Sequence, residues 1–377
     1  MNLEELEKYI SEGYINKVAH KTLDLFLYDY TPKCTYDKFW NETTMACRGL
    51  VLNSQGKIIS RPFSKFFNYE ELESVGLKIP TGESFRVLTK YDGSFMQVFT
   101  YEGNLIVTTR GSFYSDQAIW AEKWLWNHIK EDYEETSTIP FTSGYTFCFE
   151  VIYKSNRIVV DYKDFEGLVL TAIIDKRTGE EFSYDGLKLY SAINNFTLAE
   201  SHPYNSLQEL FEAQKNLTAN EEGFVITYDS GFKFKLKGEA YCKIHRMLSN
   251  LTPLAFWRAL DLETGMIPSN YLEGLPEEFR KHSDYLKETI EDLYNNKLNK
   301  IVGIMDRIYQ MNFEGTRERY EFLKKNYPED YSLVLDLLNG KLNRVQEWIY
   351  RDIRPTGNKF KDVELNEDLK KIVENFG

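Results

Sequence analysis

Near residue 245 the hydrophobic pattern of this 377-residue chain changes period, and few folds accommodate that change. From about Thr22 to Leu236 the apolar residues come in short β-rich runs, at 49–63, 86–113, 145–162, 167–175 and 223–237. Hairpin-like breaks at Ser54-Gln55-Gly56, Glu102-Gly103-Asn104 and Asp229-Ser230-Gly231 punctuate them, because glycine and small polar residues supply the backbone angles of tight turns. Helical stretches interrupt the strands at Ser115–Lys130 and Ser206–Lys215. After His245 the strands stop. Leu286, Ile290 and Leu293, then Leu298, Ile301, Met305 and Ile308, recur at helical spacing, with a one-residue slip between Leu293 and Leu298 that leaves room for a bend or short break. Arg317–Lys325, Tyr331–Leu338 and Leu342–Asp352 read as further helices, and a last amphipathic segment follows Pro355-Thr356-Gly357. The expected architecture is an α+β domain of mainly antiparallel sheets over 1–244, followed by an all-helical domain over 245–377.

A chain of this length can bury two cores. Its net charge of -12 argues against binding nucleic acid by bulk electrostatics. Cationic groups confined to a cleft remain open to it, because steering follows the local field. Most of the negative excess lies before His245, where 26 Lys and Arg face 35 Asp and Glu; from His245 onward 20 face 23. The four cysteines, Cys34, Cys47, Cys148 and Cys242, form no CxxC pair and are too scattered for a disulfide framework or a structural zinc. A reduced cytoplasmic setting is the natural expectation. The N-terminal MNLEELEKYI is acidic and amphipathic, unlike a signal peptide, and no apolar run reaches membrane-spanning length. Neither a Walker loop nor a Rossmann glycine fingerprint is present, and the five histidines show no metal-ligand spacing. Ordinary kinases and dehydrogenases are thereby disfavoured.

Chemistry concentrates at Lys90-Tyr91-Asp92-Gly93-Ser94, which lies between two β-rich runs, so the lysine projects from a strand end or the turn after it. Taken alone KxDG is a weak signal, equally a charged residue before an Asp-Gly turn. Along Phe232–Lys237 apolar residues alternate with lysines, which sets Lys233, Lys235 and Lys237 on one face of a strand and Phe234 and Leu236 on the other. By itself that pattern is a half-buried strand with a solvated basic face. Companions to both stand in order along the chain: Tyr28-Asp29-Tyr30, CRG at Cys47–Gly49, RPxxKFFN at Arg61–Asn68, FExxxxxNRIV at Phe149–Val159, Glu222-Gly223 and YxxxH at Tyr241–His245.

Over its front two-thirds this ordered set resembles the phage T4 RNA ligase 1 family, a branch of the covalent nucleotidyltransferases that include DNA ligases and RNA-capping enzymes. The resemblance implies an ATP-dependent RNA ligase that joins 5′-phosphate and 3′-hydroxyl ends of single-stranded RNA, such as broken tRNA anticodon loops, through lysyl-AMP and RNA-adenylate intermediates. It makes Lys90 the nucleophile. Tyr28, Arg48, Lys65, Glu150, Lys235 and Lys237 become ATP or AMP contacts, with Glu150 on the ribose; Lys233 falls outside the matched pair and is expected to be solvated. Arg110 stands where the family has a lysine and is a further candidate for a phosphate. Glu222 becomes the ligand of a magnesium (or manganese) ion, and Tyr241 matches a position that matters for activity. Asp92 and Gly93 shape the loop presenting Lys90, with no proton-transfer role for Asp92. Ile173–Arg177 departs from the family's next motif, so the residues packing on adenine stay undetermined. The helical domain is implied to contribute RNA specificity. The enzyme is expected to be a monomer in the cytoplasm, that of a host cell if phage-encoded, with no membrane partner.

Transfer of AMP to a lysine needs the neutral amine, whereas a free lysine has a pKa of about 10.4. Neighbouring cations (Lys235, Lys237 and a bound magnesium) are expected to lower that of Lys90 and to stabilise charge on the α-phosphate. Magnesium prefers carboxylates plus phosphate oxygens to a protein cage, so no dense ligand cluster is expected. Two alternatives share parts of this pattern. A capping guanylyltransferase or DNA ligase would use the same lysine chemistry, but both usually carry a β-rich OB-fold after the catalytic domain. A non-catalytic RNA-binding relative need not keep Lys90, Glu150, Glu222, Lys235 and Lys237 together.

Overall fold

A computed structural model describes residues 3–136, 139–268, 271 and 277–376. Met1 and Asn2 of the acidic N-terminal stretch lie outside the described residues, as do 137, 138, 269, 270, 272–276 and 377. The chain divides into two compact units, Met1–Cys242 and Lys243–Gly377.

Fourteen strands are found among the described residues, all in the first unit: β1 (Ile15–Ala19), β2 (Phe26–Tyr30), β3 (Arg48–Leu52), β4 (Ile58–Ser60), β5 (Phe67–Asn68), β6 (Phe85–Lys90), β7 (Ser94–Tyr101), β8 (Asn104–Thr109), β9 (Tyr145–Ile152), β10 (Gly167–Asp175), β11 (Thr197–Leu198), β12 (Ser201–His202), β13 (Gly223–Tyr228) and β14 (Lys233–Lys237). They form three sheets, ordered β1-β2-β3-β4, β11-β10-β9-β7-β8 and β12-β6-β13-β14-β5. The ladders are antiparallel except β10–β11 and β14–β5. The three hairpin breaks read from the sequence join β3 to β4, β7 to β8 and β13 to β14. At the β7–β8 turn both Glu102 and Gly103 take positive φ, the geometry whose twist matches the flanking strands.

Period-2 alternation decides which faces are buried. On β14, Phe234 and Leu236 are fully buried with Val87, Phe224 and Ile226 against Leu210 of helix Leu207–Lys215. On β9, Phe147, Phe149 and Val151 pack with Met96 and Val98 against Ala121, Leu125 and Ile129 of helix Asp116–Thr136. Each five-stranded sheet thus has its apolar face covered by helices, and the remaining faces of the two sheets line a cleft between them. The four-stranded sheet buries Leu50, Leu52 and Tyr28 against Leu6 and Tyr9 of helix Leu3–Ser11. Through Leu27 and Val51 it packs on Phe99 and Ile106.

Three local expectations change. The run 145–162 is strand only as far as Ile152; beyond it the Val159 and Val160 N–H groups donate to the Asp92 carboxylate, at 2.8 and 2.9 Å, instead of to a neighbouring strand. A helix, Tyr184–Ile193, follows β10, in addition to the two helical stretches read from the sequence of this domain. In the second unit the slip at Leu293–Leu298 makes no break, for Glu277–Gln310 is one continuous helix. Its apolar stripe changes partners instead. Leu286 and Ile290 are buried in the half that packs beside helix Pro253–Arg258. Ile301, Ile304 and Ile308 pack on Leu333, Val334, Val345 and Ile349 from the two helices that follow.

The two-faced character of β14 is testable by urea unfolding. Phe234→Ala should cost about 3–5 kcal/mol by opening a cavity in the core, whereas Lys235→Ala on the opposite face should leave stability unreduced.

Candidate active site

Backbone register builds the centre of the cleft. β13 runs between β6 and β14, and its first residue, Gly223, sits opposite Lys90 on one side and Lys237 on the other. Gly223 has φ +142°, and a Cβ there would collide with the Leu236 carbonyl oxygen, so only glycine lets the three strands meet. Glu222, immediately before it, is therefore held at the head of both lysine-bearing strands. Its Oε2 accepts from Lys90 Nζ at 2.7 Å and its Oε1 pairs with Lys237 Nζ at 2.9 Å. Only 4% of Glu222 is exposed. Burial alone would raise its pKa, yet the two ammonium groups outweigh burial and hold the carboxyl below its ordinary value.

The same contacts correct the expected electrostatics of Lys90. Burial pulls its pKa down, but Glu222, Glu150 and Asp92 overcome that and raise it, so in the nucleotide-free site Lys90 is a protonated ammonium. The most strongly depressed lysine of the cleft is Lys235. Burial comes first among the causes, then the charges of Lys90, Lys237, Lys65 and Arg48. Among the described residues no carboxylate lies within ion-pair distance of Lys235.

Local structure around the KYDG turn is equally specific. Asp92 is 4% exposed and accepts from Val159 and Val160 N–H and, on Oδ1, from the Tyr241 hydroxyl at 2.7 Å. It is fully engaged in shaping the loop. Its own N–H donates to the Tyr162 hydroxyl at 2.6 Å. Gly93 N–H donates to Glu150 Oε1 at 3.3 Å, and a Cβ on Gly93 would strike the Val151 carbonyl oxygen. Tyr241 also lies beneath Lys237, whose Nζ is 5.2 Å from the ring centroid.

Between the sheets lies a cavity of ≈ 140 Å³. Lys90, Lys233, Lys235, Arg48 and Glu150 supply its charged lining, and Phe66, Phe95 and Val225 part of its apolar wall. The Arg48 guanidinium packs between Phe66 and Phe95, 5.5 and 4.8 Å from their centroids, and its buried Nη1 has no hydrogen-bond partner. Burial pushes the Glu150 carboxyl up to about 7, against the pull of Lys90. Lys65 stands in a neighbouring aromatic box, its Nζ 5.7, 5.4 and 4.6 Å from the rings of Tyr30, Trp40 and Phe67. Burial depresses its pKa as well.

Some residues are placed differently from expectation. Lys233 is not solvated, because the lysine face of β14 looks into the cleft rather than into water. Its Nζ pairs with Glu181 at 2.7 Å and lies over Phe63 at 4.7 Å. Tyr28 is 3% exposed in the core of the four-stranded sheet and does not line the cavity. Its neighbours in the motif reach the cation cluster instead. Arg110, 45% exposed, pairs with Asp29 at 3.0 Å and donates to the Tyr30 hydroxyl at 3.2 Å. Burial raises Asp29 to about 6 despite Arg110 and Arg48, and its Oδ1 is buried without a partner. Sequence reasoning missed Tyr30, Glu181, Phe66 and Phe95 as site residues; of these Tyr30, inside Tyr28-Asp29-Tyr30, and Phe66, inside RPxxKFFN, carried a signal. Among the described residues no three His, Cys, Asp or Glu side chains form a metal cage. Glu222 is a carboxylate suited to an ion that takes its other ligands from phosphate oxygens.

Two measurements probe this geometry. Gly223→Ala should be among the most damaging single substitutions, destabilising the first unit by several kcal/mol through backbone strain and collision, as read by urea unfolding. Glu150 keeps its proton to higher pH when folded, so its contribution to stability is full below its ordinary 4.5 and is lost as pH rises through about 7. The urea midpoint of wild type should therefore fall relative to Glu150→Gln across that window.

The family model for RNA ligases of the T4 RNA ligase 1 type matches residues 46–241, just over half of the chain. An RNA ligase of Rhodothermus phage RM378 is 25% identical over 356 residues, covering 76% of this chain and 77% of that protein. A putative bifunctional polynucleotide kinase/RNA ligase of Autographa californica nuclear polyhedrosis virus is 29% identical over 231 residues, 55% of this chain. The chain spans only about a third (32%) of that viral protein's length. An archaeal ATP-dependent RNA ligase structure superposes with a TM-score of 0.49 at 15% identity, covering 86% of each chain, too loose a likeness to add weight. No helix among the described residues is long and apolar enough to cross a membrane. By the span of the family model and the motifs that fall within it, the chain belongs to the T4 RNA ligase 1 family.

Proposed function

We propose that this chain is an ATP-dependent RNA ligase that carries AMP covalently on Lys90 and seals 5′-phosphate to 3′-hydroxyl ends of single-stranded RNA, as in tRNA repair. The observation that carries the proposal is the cluster in the cleft. A lysine held by a buried carboxylate faces a cavity lined by two nitrogen groups, Lys235 and Arg48 Nη1, that have no anionic partner among the described residues and that a bound anion would satisfy. A nucleoside triphosphate supplies that anion, and the Phe66, Phe95 and Val225 walls suit a flat base.

In the first step Lys90 Nζ attacks the α-phosphorus; an N–P bond forms and the bond to pyrophosphate breaks. Lys90 must first lose a proton, and Glu222 Oε2, at 2.7 Å, is the acceptor within reach. Lys235 and Lys237 then stabilise charge on the transferring phosphate, Arg48, Lys65 and Arg110 steady the polyphosphate, and Glu150 meets the ribose. Glu222 would also hold a magnesium or manganese ion, which when bound neutralises phosphate charge. Afterwards the AMP passes to an RNA 5′-phosphate, and a 3′-hydroxyl displaces it. Asp92 and Tyr241 would act by positioning the lysine loop, through the hydrogen bonds that Asp92 accepts from Tyr241 and Val159. Cys34, Cys47 and Cys148 are buried thiols, which suits a reducing, cytoplasmic setting. The helical unit would contribute RNA specificity, and the enzyme would work as a monomer.

Protein stripped of bound nucleotide, incubated with magnesium and α-labelled ATP, should form a labelled species that withstands denaturation and is chased by 5′-phosphorylated RNA. Lys90→Ala should form none. Label from GTP in preference to ATP would point to capping chemistry, and no label from either would contradict the proposal.

A further inference from the structure

The helical unit carries a surface whose charge runs against the rest of the chain. Between residues 341 and 361 stand Lys341, Arg344, Arg351, Arg354, Lys359 and Lys361 against Glu347 and Asp352, a surplus of four positive charges in a chain of net -12. All six cations are exposed. Helix Leu342–Asp352 turns Val345, Ile349 and Tyr350 inward, which leaves Arg344, Trp348 and Arg351 as an outer stripe at spacings of four and three.

Trp348 is 46% exposed, and the Arg351 guanidinium lies 6.0 Å over its ring. A second pair follows three residues later, where Arg354 lies 5.4 Å over Trp257. The Trp257 ring is fixed by its Nε1 donating to the Tyr350 carbonyl at 2.8 Å. Arg351 lies in the last turn of the helix and Arg354 just beyond its end. Some of the charge is answered locally: Lys341 and Arg344 share Asp336, and Arg351 pairs with Glu347. Arg354, Lys359 and Lys361 have no carboxylate partner among the described residues.

Two indole rings, each flanked by a guanidinium, in a segment with a surplus of exposed cations, match unpaired nucleotides on both counts. Every base offers a π-face for stacking, and every linkage offers a negative phosphate. A duplex hides its base faces and would leave the rings unused. We propose that this surface of the helical unit is a stacking platform for single-stranded RNA, with Trp348 as its principal ring and Arg354 as a phosphate contact; it deepens the RNA-ligase reading of the cleft and rests on it for the identity of the substrate.

The test is fluorescence anisotropy of the full-length protein with an unstructured single-stranded RNA oligonucleotide across a salt series. Trp348→Ala should bind about tenfold more weakly, and Trp348→Phe should recover most of that loss, which a merely structural role would not produce at a half-exposed site. Arg354→Ala should lower the slope of log affinity against log salt by about 0.7. Wild-type affinity and slope in both Trp348→Ala and Arg354→Ala would overturn the proposal. So would displacement of the RNA by polyglutamate at equal charge concentration, which would mark an acidic protein as the partner. Formation of lysyl-AMP by wild type without RNA is measured alongside. Its failure would remove the ligase reading, whereas the anisotropy alone decides the platform.

Discussion

Everything in the cleft depends on one buried carboxylate shared by two lysines. Glu222 is almost wholly removed from water and is bonded on one oxygen to Lys90 and on the other to Lys237. A buried charge without partners costs several kcal/mol, so the carboxylate and the two ammonium groups require one another. The arrangement is possible because Gly223 adopts a backbone angle closed to other residues and lets β6, β13 and β14 converge. Sequence, sheet register and electrostatics meet at this dipeptide.

Around that centre charge is divided unevenly. Carboxylates hold the proton on Lys90, while crowding by cations and burial drives it from Lys235. In the proposed reaction an entering polyphosphate reverses both tendencies, giving Lys235 and Arg48 the anion they lack and competing for the cations that now pair with Glu222. A chain of net charge -12 can in this way present a strongly cationic cavity, because the cations are concentrated on the inner sheet faces and boxed by Phe66, Phe95, Tyr30 and Trp40. Aromatic faces solvate these cations where water is excluded.

Much of this was legible in the chain, and what was not has physical causes. Alternation in Phe232–Lys237 revealed the two faces of β14, since burial on one side of a strand enforces period 2. That pattern does not say whether the lysine face meets water or a second sheet, so it does not foretell the pairing of Lys233 with Glu181. Tyr28 and Tyr30 are equivalent in composition; burial against the N-terminal helix removed the first, and the Arg110 contact brought in the second. The whole run 145–162 reads as β-rich, yet past Ile152 the Val159 and Val160 N–H groups serve the Asp92 carboxylate, a tertiary demand that local propensity does not encode. The continuous helix Glu277–Gln310 escaped for a related reason, because its stripe shifts to suit different neighbours along its length.

Mapping the site of nucleotide attachment tests the central claim most directly. Stripped protein is reacted with ATP and a divalent metal, digested, and its peptides sequenced by mass spectrometry. AMP on Lys90, with Lys235 and Lys237 unmodified, is the predicted result, even though Lys235 is the lysine that sheds its proton more readily in the nucleotide-free cleft. AMP on Lys235, or on no lysine of the cleft, would contradict the account of Glu222 and Lys90 as the reacting centre.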